Sequence, residues 1–433
     1  MGLGFVGLTA ALGFAEKGHI VYGYDVNIQR TAELLDGKVS LFEPGLSDAL
    51  VRHLNKRFFI LENHNKEQNL SHLMNTARTS QNDENDNNHD NSISSDLPQV
   101  IFICVGTPCD ADGGADLRYI YNALDMLEPI IKPDTFNGIL VIKSTVPPDT
   151  TKTKIIPYLR NKGINAPVVN NPEFLREGYC WKDFMNPDRI VCGVEDERAT
   201  ETIKDLYKDF NAPVIITSLN TAEFIKYLSN TMLASMISFS NEMSVIAQAI
   251  GDISIIQAFE TLHMDWRWGT PKGMSHYVYP GCGFGGYCLP KDLPAMITQA
   301  KRYGIEPVLL ESVQTINHAM PAFFAAQILE TKPERIGILG LSFKPKSDDT
   351  RESPAAAIIA ALLENGCQQV YVYDPAANET FKENHSFPIY YCDNMDEVCE
   401  RSEIVVIVTA WAQFHGIDKK YPGVRFVDGR YML

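Results

Sequence analysis

The sequence predicts an α/β protein with two Rossmann-like doubly wound domains joined by a long central helical region. Three observations carry this. Near the start, Gly2-Leu3-Gly4-Phe5-Val6-Gly7 opens a helix-like run, Leu8–Lys17, followed by Gly18-His19, a strand Ile20–Tyr24 and Asp25. Near the end the theme returns: a strand Arg335–Leu339, the turn Gly340-Leu341-Ser342, a helix Ser353–Asn365, Gly366, and a strand Gln369–Tyr373 ending at Asp374. Between them, Thr221–Ile250 holds no Pro or Gly and repeats apolar residues at spacings of three and four. Glycine turn, helix, strand and acid in register make a βαβ unit, and two such units separated by a helical segment make two α/β domains.

Each element has its own warrant. Strand-like runs at Arg57–Leu61, Gln99–Cys104, Gly138–Lys143 and Ala166–Asn170 alternate with helical stretches, as a sheet built by crossover units requires. Residues 62–98 interrupt this order. Within them Gln81–Ser95 is almost entirely Asn, Asp, Ser, Glu and His, which cannot bury enough apolar surface to offset ordering, so a disordered insertion is expected at about 78–97. His89 reads as part of a solvated loop rather than a metal ligand. The apolar face Ala222, Ile225, Leu228, Met232, Met236, Phe239, Met243 and Ile246 suits a domain core or a dimer interface. A second long helix is expected at Pro307–Leu329, broken near Pro321, and Glu403–Thr409 reads as a buried strand. The expected division is 1–195, 196–320 and 321–433.

Composition narrows the function. The chain has 433 residues, 45% apolar and 21% charged, in the range of ordinary globular proteins. Its net charge of −16 repels polyanions, so nucleic acid and anionic membrane surfaces are excluded as general partners. No apolar run approaches the roughly 18–20 residues of a membrane helix. Nine Cys, without a signal peptide, read as free thiols in a cytoplasmic protein.

The first glycine segment has a specific task. Gly2 allows a tight turn, Gly4 lets backbone approach a pyrophosphate, Gly7 lets helix pack on strand, and the helix N-terminus faces the phosphates. Asp25 can accept from both ribose hydroxyls, which favours NAD over NADP. The strand that should precede Gly2 is represented by Met1 alone, so either the start is misassigned or a central strand is lacking. A second segment, Pro280-Gly281-Cys282-Gly283-Phe284-Gly285-Gly286-Tyr287-Cys288-Leu289-Pro290-Lys291-Asp292, is too glycine-dense for helix or strand and presents a thiol, an ammonium and a carboxylate together. Such a thiol can attack a carbonyl. A disulfide or half a metal site is the alternative for Cys282 and Cys288, discounted because no His or Cys pair at metal spacing accompanies them. Further candidates are Glu173 and Glu177, able to share one face of a turn; Lys226 and Asn230, four apart on the long helix; and Lys344, Asp348, Asp349 and Arg351.

The ordered series GLGFVGL, FICVGTP, KSTVPP, NPEFLREG, Lys226–Asn230, GFGGYCLPKD and GLSFKPKSDDTRESP resembles the nucleotide-sugar 6-dehydrogenases, the UDP-glucose/GDP-mannose dehydrogenase family, over nearly the whole chain except 62–98. The resemblance implies an NAD-binding domain, a central dimerisation region, a C-terminal nucleotide-sugar domain and a homodimer. It implies oxidation of CH2OH to carboxylate with two NAD and one water, through a thiohemiacetal and a thioester on Cys288. It makes Lys226 and Asn230 stabilisers of oxyanions, Asp292 and Glu173 the carboxylates that activate and position water, and Thr145 and Glu177 contacts to cofactor or water. Gly2, Gly4, Phe5, Val6, Gly7, Asp25, Arg30, Thr107 and Arg351 would hold the cofactor. Phe174, Leu175, Tyr277, Gly285, Phe343, Lys344 and Arg430, with Lys226 and Asn230, would hold the substrate; no metal is implied. Two departures stand out: Lys272-Gly273-Met274 where the family often has Arg-Ile-Gly, and Tyr287 where Ser is common. UDP-glucose is the expected substrate. GDP-mannose or another UDP-sugar, a two-electron hydroxy-acid dehydrogenase and an inactive truncated homologue are the alternatives.

Overall fold

In a computed structural model, residues 1–61, 99–132, 136–265 and 279–433 are described. The expected insertion at about 78–97, His89, Tyr277 and Lys272-Gly273-Met274 lie outside them. The described residues divide into two units: Met1–Asp110 with Ala115–Lys226, and Ala111–Gly114 with Tyr227–Leu433.

The first unit holds β1 (Val21–Gly23), β2 (Phe58–Ile60), β3 (Val100–Ile103), β4 (Ile139–Ile142), β5 (Val168–Asn170), β6 (Ile190–Gly193) and β7 (Val214–Thr217). β1 and β2 pair in parallel; the other five form a sheet in the order β3-β4-β5-β6-β7, parallel except at β5–β6. β4 shows why the sequence folds so. Its four apolar residues are all buried, Leu140 and Ile142 in one core with the helix Arg118–Ile131, Ile139 and Val141 in another with Ala10 and Phe14 of the helix Phe5–Glu16. A strand covered on both faces needs apolar residues at every position, and each such side chain contributes about 1.5–3 kcal/mol. The helix Phe5–Glu16 also sends Leu8, Leu12 and Ala15 to a third core with Phe58 of β2.

The second unit repeats the plan. β8 (Arg335–Leu339), β9 (Gln369–Tyr373), β10 (Tyr390–Tyr391), β11 (Ile404–Ile407) and β12 (Arg425–Asp428) form one parallel sheet in the order β10-β9-β8-β11-β12. β11 divides as β4 does, Ile404 and Val406 to one face, Val405 and Ile407 to the other. In this unit β8 fills the place between β9 and β11. In the first unit the equivalent place, between β1 and β3, is bridged by two residues: the Met1 amine donates to the Phe102 carbonyl (2.9 Å), the Cys104 N–H to the Met1 carbonyl (2.8 Å), and the Gly2 N–H to the Tyr24 carbonyl (2.8 Å).

The long helix runs Leu219–Ile250. The helix expected to break near Pro321 is continuous over Val308–Leu329. Pro321 forfeits only the bond to the Asn317 carbonyl one turn back, and the packing of Val313, Met320, Phe324 and Ile328 holds the helix through that gap. All nine Cys are free thiols. No helix among the described residues is long and apolar enough to cross a membrane.

Candidate active site

In the first unit the glycine turn is built as the sequence predicts. Gly2 has φ +87°, where a Cβ would lie 2.8 Å from the Cys104 carbonyl oxygen; a Cβ on Gly7 would strike the Gly2 carbonyl oxygen at 1.8 Å. Gly4 differs: a Cβ there would meet nothing within 4 Å, and as N-cap of Phe5–Glu16 it makes no side-chain cap. The turn thus opens onto free space at the positive end of a helix. Asp25 is buried and accepts from the Leu3 N–H (2.7 Å), the Asn27 N–H (2.8 Å) and Arg30 Nη1 (3.1 Å). The second unit repeats this staple: Gly340 has φ +98°, its N–H bonds the Tyr373 carbonyl (2.9 Å), and the Leu341 N–H bonds Asp374 (2.7 Å). There, however, Ser342 and the Trp411 indole N–H (3.1 Å) also donate to Asp374.

After β5 the chain leaves regular structure, with Glu173 ahead of a turn and Glu177 within it. Glu173 is buried and pairs with Lys226 at 3.0 Å, its other oxygen accepting the Leu175 N–H (2.5 Å); Glu177 lies half-buried in the following turn. Burial pushes the Glu173 carboxyl up, but Lys226 and the Leu175 N–H outweigh it and hold the pKa below the usual value. The Phe174 ring lies under Lys226 Nζ at 5.5 Å and the Arg189 guanidinium at 4.3 Å. Beside this pair is buried Lys143, its ammonium on Asn171 Oδ1 (3.0 Å), which the Tyr207 hydroxyl also reaches (2.6 Å). Burial drives the Lys143 pKa down, with the charge on Glu173 opposing. Thr107 Oγ1 donates to the Thr145 carbonyl at 2.8 Å.

In the second unit the glycine-dense loop packs on the segment after β8. A Cβ on Gly285 would meet the Glu352 carbonyl oxygen at 2.2 Å, and one on Gly286 the Phe343 ring at 2.8 Å. These glycines let the loop pack closely on that segment. Asn317 fixes the loop by accepting the Phe284 N–H (2.7 Å) and donating to its carbonyl (3.1 Å). The two cysteines part company. Cys282 is buried beneath Gly429, and burial pushes its thiol up to about 12. Cys288 is exposed as the first residue of the helix Cys288–Arg302. A helix N-terminus supports the anionic, nucleophilic form of a thiol. One turn on, Asp292 is fully buried; it accepts from Asn230 Nδ2 (2.5 Å) and pairs with Lys291. Burial alone would lower the Lys291 pKa, but Asp292 overrides it and holds the ammonium charged. Arg351 is paired to Asp349 and stacked 4.6 Å over Tyr287, and Lys344 Nζ lies 5.2 Å over Phe343. Arg430 donates to the Val408 carbonyl and packs where a side chain on Gly281 would stand. Lys226 closes the first unit and Asn230 stands one turn later on the same helix.

Models of the UDP-glucose/GDP-mannose dehydrogenase family match along the chain: the NAD binding domain at residues 1–66 and 60–211, the central domain at 220–319 and the UDP binding domain at 337–433. The chain belongs to this family. It is a nucleotide-sugar dehydrogenase that uses NAD. Among similar proteins, the UDP-glucose 6-dehydrogenase AglM of Haloferax volcanii is 32% identical, over 100% of this chain and 96% of its own. The UDP-glucose dehydrogenase structure from Pyrobaculum islandicum is 38% identical with a TM-score of 0.86, covering 100% of this chain and 93% of that one. The UDP-D-ManNAc dehydrogenase structure from Pyrococcus horikoshii is 26% identical with a TM-score of 0.81, covering 100% and 94%.

The open space at Gly4, the uncapped helix start and buried Asp25 fit a dinucleotide in this dehydrogenase. Two buried charged residues of the first unit, Lys143 and Glu223, were not among the candidates that the sequence offered. Their signal was a charge at the end of an apolar strand run and on the long helix.

Proposed function

We propose that the chain oxidises C6 of UDP-glucose to the carboxylate, giving UDP-glucuronate, through a covalent adduct on Cys288. The observation that carries this is an exposed thiol at a helix start, backed one turn away by the buried Asn230–Asp292–Lys291 cluster. NAD, two per substrate, supplies hydride acceptance. Removal of a hydride and a proton from the C6 alcohol leaves an aldehyde, and the Cys288 thiolate adds to its carbon, which keeps it bound as a thiohemiacetal whose carbon still bears hydrogen. Loss of that hydrogen as hydride gives the thioester. Water then adds to the carbonyl, the C–S bond breaks, and the thiolate returns as the acid leaves. Lys226 and Asn230 stabilise the oxyanions of these steps, as fixed donors in a dry site do. Asp292 and Glu173 hold and activate the water, with Thr145 and Glu177 beside it.

Gly2, Gly4, Phe5, Val6, Gly7, Asp25, Arg30, Thr107 and Arg351 are assigned to cofactor. Phe174, Leu175, Gly285, Phe343, Lys344 and Arg430, with Tyr277, are assigned to substrate. UDP-glucose is preferred because similar proteins such as the Haloferax volcanii enzyme and the Pyrobaculum islandicum structure carry that name. The deciding measurement is NADH formed per limiting UDP-glucose at excess NAD. A ratio near two supports the reading, a ratio near one means simple alcohol oxidation, and turnover only with GDP-mannose or UDP-N-acetylmannosamine reassigns the sugar.

The same reading makes the protein a cytoplasmic homodimer, with a cofactor domain at 1–195, dimerisation at 196–320 and sugar-nucleotide binding at 321–433. The long helix supports the dimer. Its buried side includes Tyr227 and the smaller Ala234, Ser238, Asn241 and Ser244, while Leu228, Met232, Phe239, Met243 and Ile246 are exposed. An exposed apolar stripe of this length is the kind of surface that a second copy covers.

A further inference from the structure

Glu223 is a carboxylate the chemistry above does not use. It lies on the long helix, one turn before Lys226, and is 1% exposed. Its two oxygens accept the backbone N–H groups of Asp149 (2.7 Å) and Thr151 (2.8 Å). Those donors close the segment Ser144-Thr145-Val146-Pro147-Pro148-Asp149, which leaves β4 and carries Thr145. Asp149 has φ +76°, a left-handed conformation that a residue with a side chain keeps only when its surroundings impose it. Asn220, on the same helix, adds a bond to Asp149 Oδ1 at 3.1 Å. The other end of the segment is fastened separately, by Ser144 Oγ to the Val105 carbonyl (2.7 Å) and by Thr107 to the Thr145 carbonyl (2.8 Å).

The helical run that begins at Thr151 has no capping side chain of its own. Its first N–H groups would otherwise be buried without partners, and Glu223 supplies the acceptor from a different element. One carboxylate therefore fastens the loop bearing Thr145 to the helix bearing Lys226.

We propose that Glu223 is a positioning residue for the reaction, setting the place of Thr145 relative to Lys226 by holding the Asp149 and Thr151 amides. The proposal rests on the assignment of Thr145 and Lys226 given above. The charged groups around Glu223 are few. Asp149, from the loop, repels it; on its own helix Lys226 is turned to Glu173. The neighbouring strand offers neutral Asn170, whose amide reaches Thr151 Oγ1 at 3.4 Å, and Lys152 is turned to Glu195. Burial first, and Asp149 after it, raise the Glu223 pKa to about 7 against the N–H bonds that lower it. Ionised, the carboxylate offers both oxygens to these two N–H groups, whereas protonation would turn one of them into a donor facing a backbone donor.

The test is Glu223→Gln in the full-length chain, which keeps size and shape but sets an NH2 group against one backbone N–H. Two readouts are needed. Amide hydrogen exchange across 144–151 at pH 8, corrected for the intrinsic rate, should show protection in the parent that is lost in E223Q. Turnover of UDP-glucose at pH 8 should fall about ten- to a hundredfold in E223Q, as a misplaced reacting geometry does, with the sugar-nucleotide KM within a factor of three. Unchanged protection and unchanged kcat would overturn the proposal, as would a loss of thermal stability at pH 8 with kcat retained, which marks a purely structural carboxylate. If E223Q does not fold, Glu223→Asp, which keeps the charge but withdraws it by one methylene, takes its place in both readouts. If the parent makes no NADH from any nucleotide sugar, the functional reading fails and the exchange result still stands by itself.

Discussion

At the scale of the residue, environment rather than identity sets chemistry. Cys282 and Cys288 lie in one loop, yet one is sealed under Gly429 and the other opens a helix. Cys288→Ser should therefore cut net acid formation more than about a hundredfold, while a slow first oxidation continues. Chromatography of the products checks this, and acid at the parent rate would remove the covalent step. Asp25 acts on two fronts, fastening the glycine turn through Leu3 and standing at the strand end where a ribose would be read. Asp25→Asn should weaken NAD by about 1–3 kcal/mol through loss of charged hydrogen bonds. Titration calorimetry measures it, and an unchanged Kd would take Asp25 out of the cofactor site. The acid itself was legible in the sequence. Its bond to Leu3 was not, because the contact joins residues on two different elements.

At the scale of the element, periodicity shows that a face exists and not what it meets. The apolar face of Leu219–Ile250 was plain in the sequence, which left a core or an interface open. The structure buries the other side, with Tyr227, Ala234, Ser238 and Asn241, and exposes Leu228, Met232 and Phe239. Phe239→Asp should accordingly shift the particle from twice the chain mass of 48.4 kDa to the monomer mass, without loss of helix content. Light scattering on a sizing column and circular dichroism decide it, and a particle of unchanged mass would exclude this stripe as the interface. Pro321 makes the complementary point. Its local rule predicts a break, and packing on both sides of the residue overrides the rule.

At the scale of the whole molecule, buried charge sets how stability varies with pH. Glu223, raised from 4.5 to about 7, binds its proton more tightly in the folded chain than in the unfolded one. Between those values the folded state holds more protons, so its contribution is complete below pH 4.5, falls as pH rises, and is lost above 7. The span corresponds to on the order of 3 kcal/mol. Glu173, held low by Lys226, works in the opposite direction, contributing above its unfolded pKa and losing that contribution as pH falls. The difference between E223Q and the parent isolates the first term. The variant should gain on the parent between pH 5 and pH 8 in denaturant titrations, and a difference independent of pH would show that Glu223 does not titrate in that window.

The sequence by itself determined the fold class, the repeated glycine–strand–acid plan, the strand cores and the family. Each is written in local order: runs such as Ile139–Ile142, a turn at Gly2 or Gly340, an acid at a strand end. Tertiary structure alone decided which cysteine is exposed, which side of the long helix is covered, that Gly285 and Gly286 serve packing on Phe343 and Glu352, and that Lys143 and Glu223 stand inside the first unit. These depend on contacts between residues far apart in the chain, and burial, which sets the charge and reactivity of a side chain, is a property of such contacts and not of the residue's neighbours in sequence.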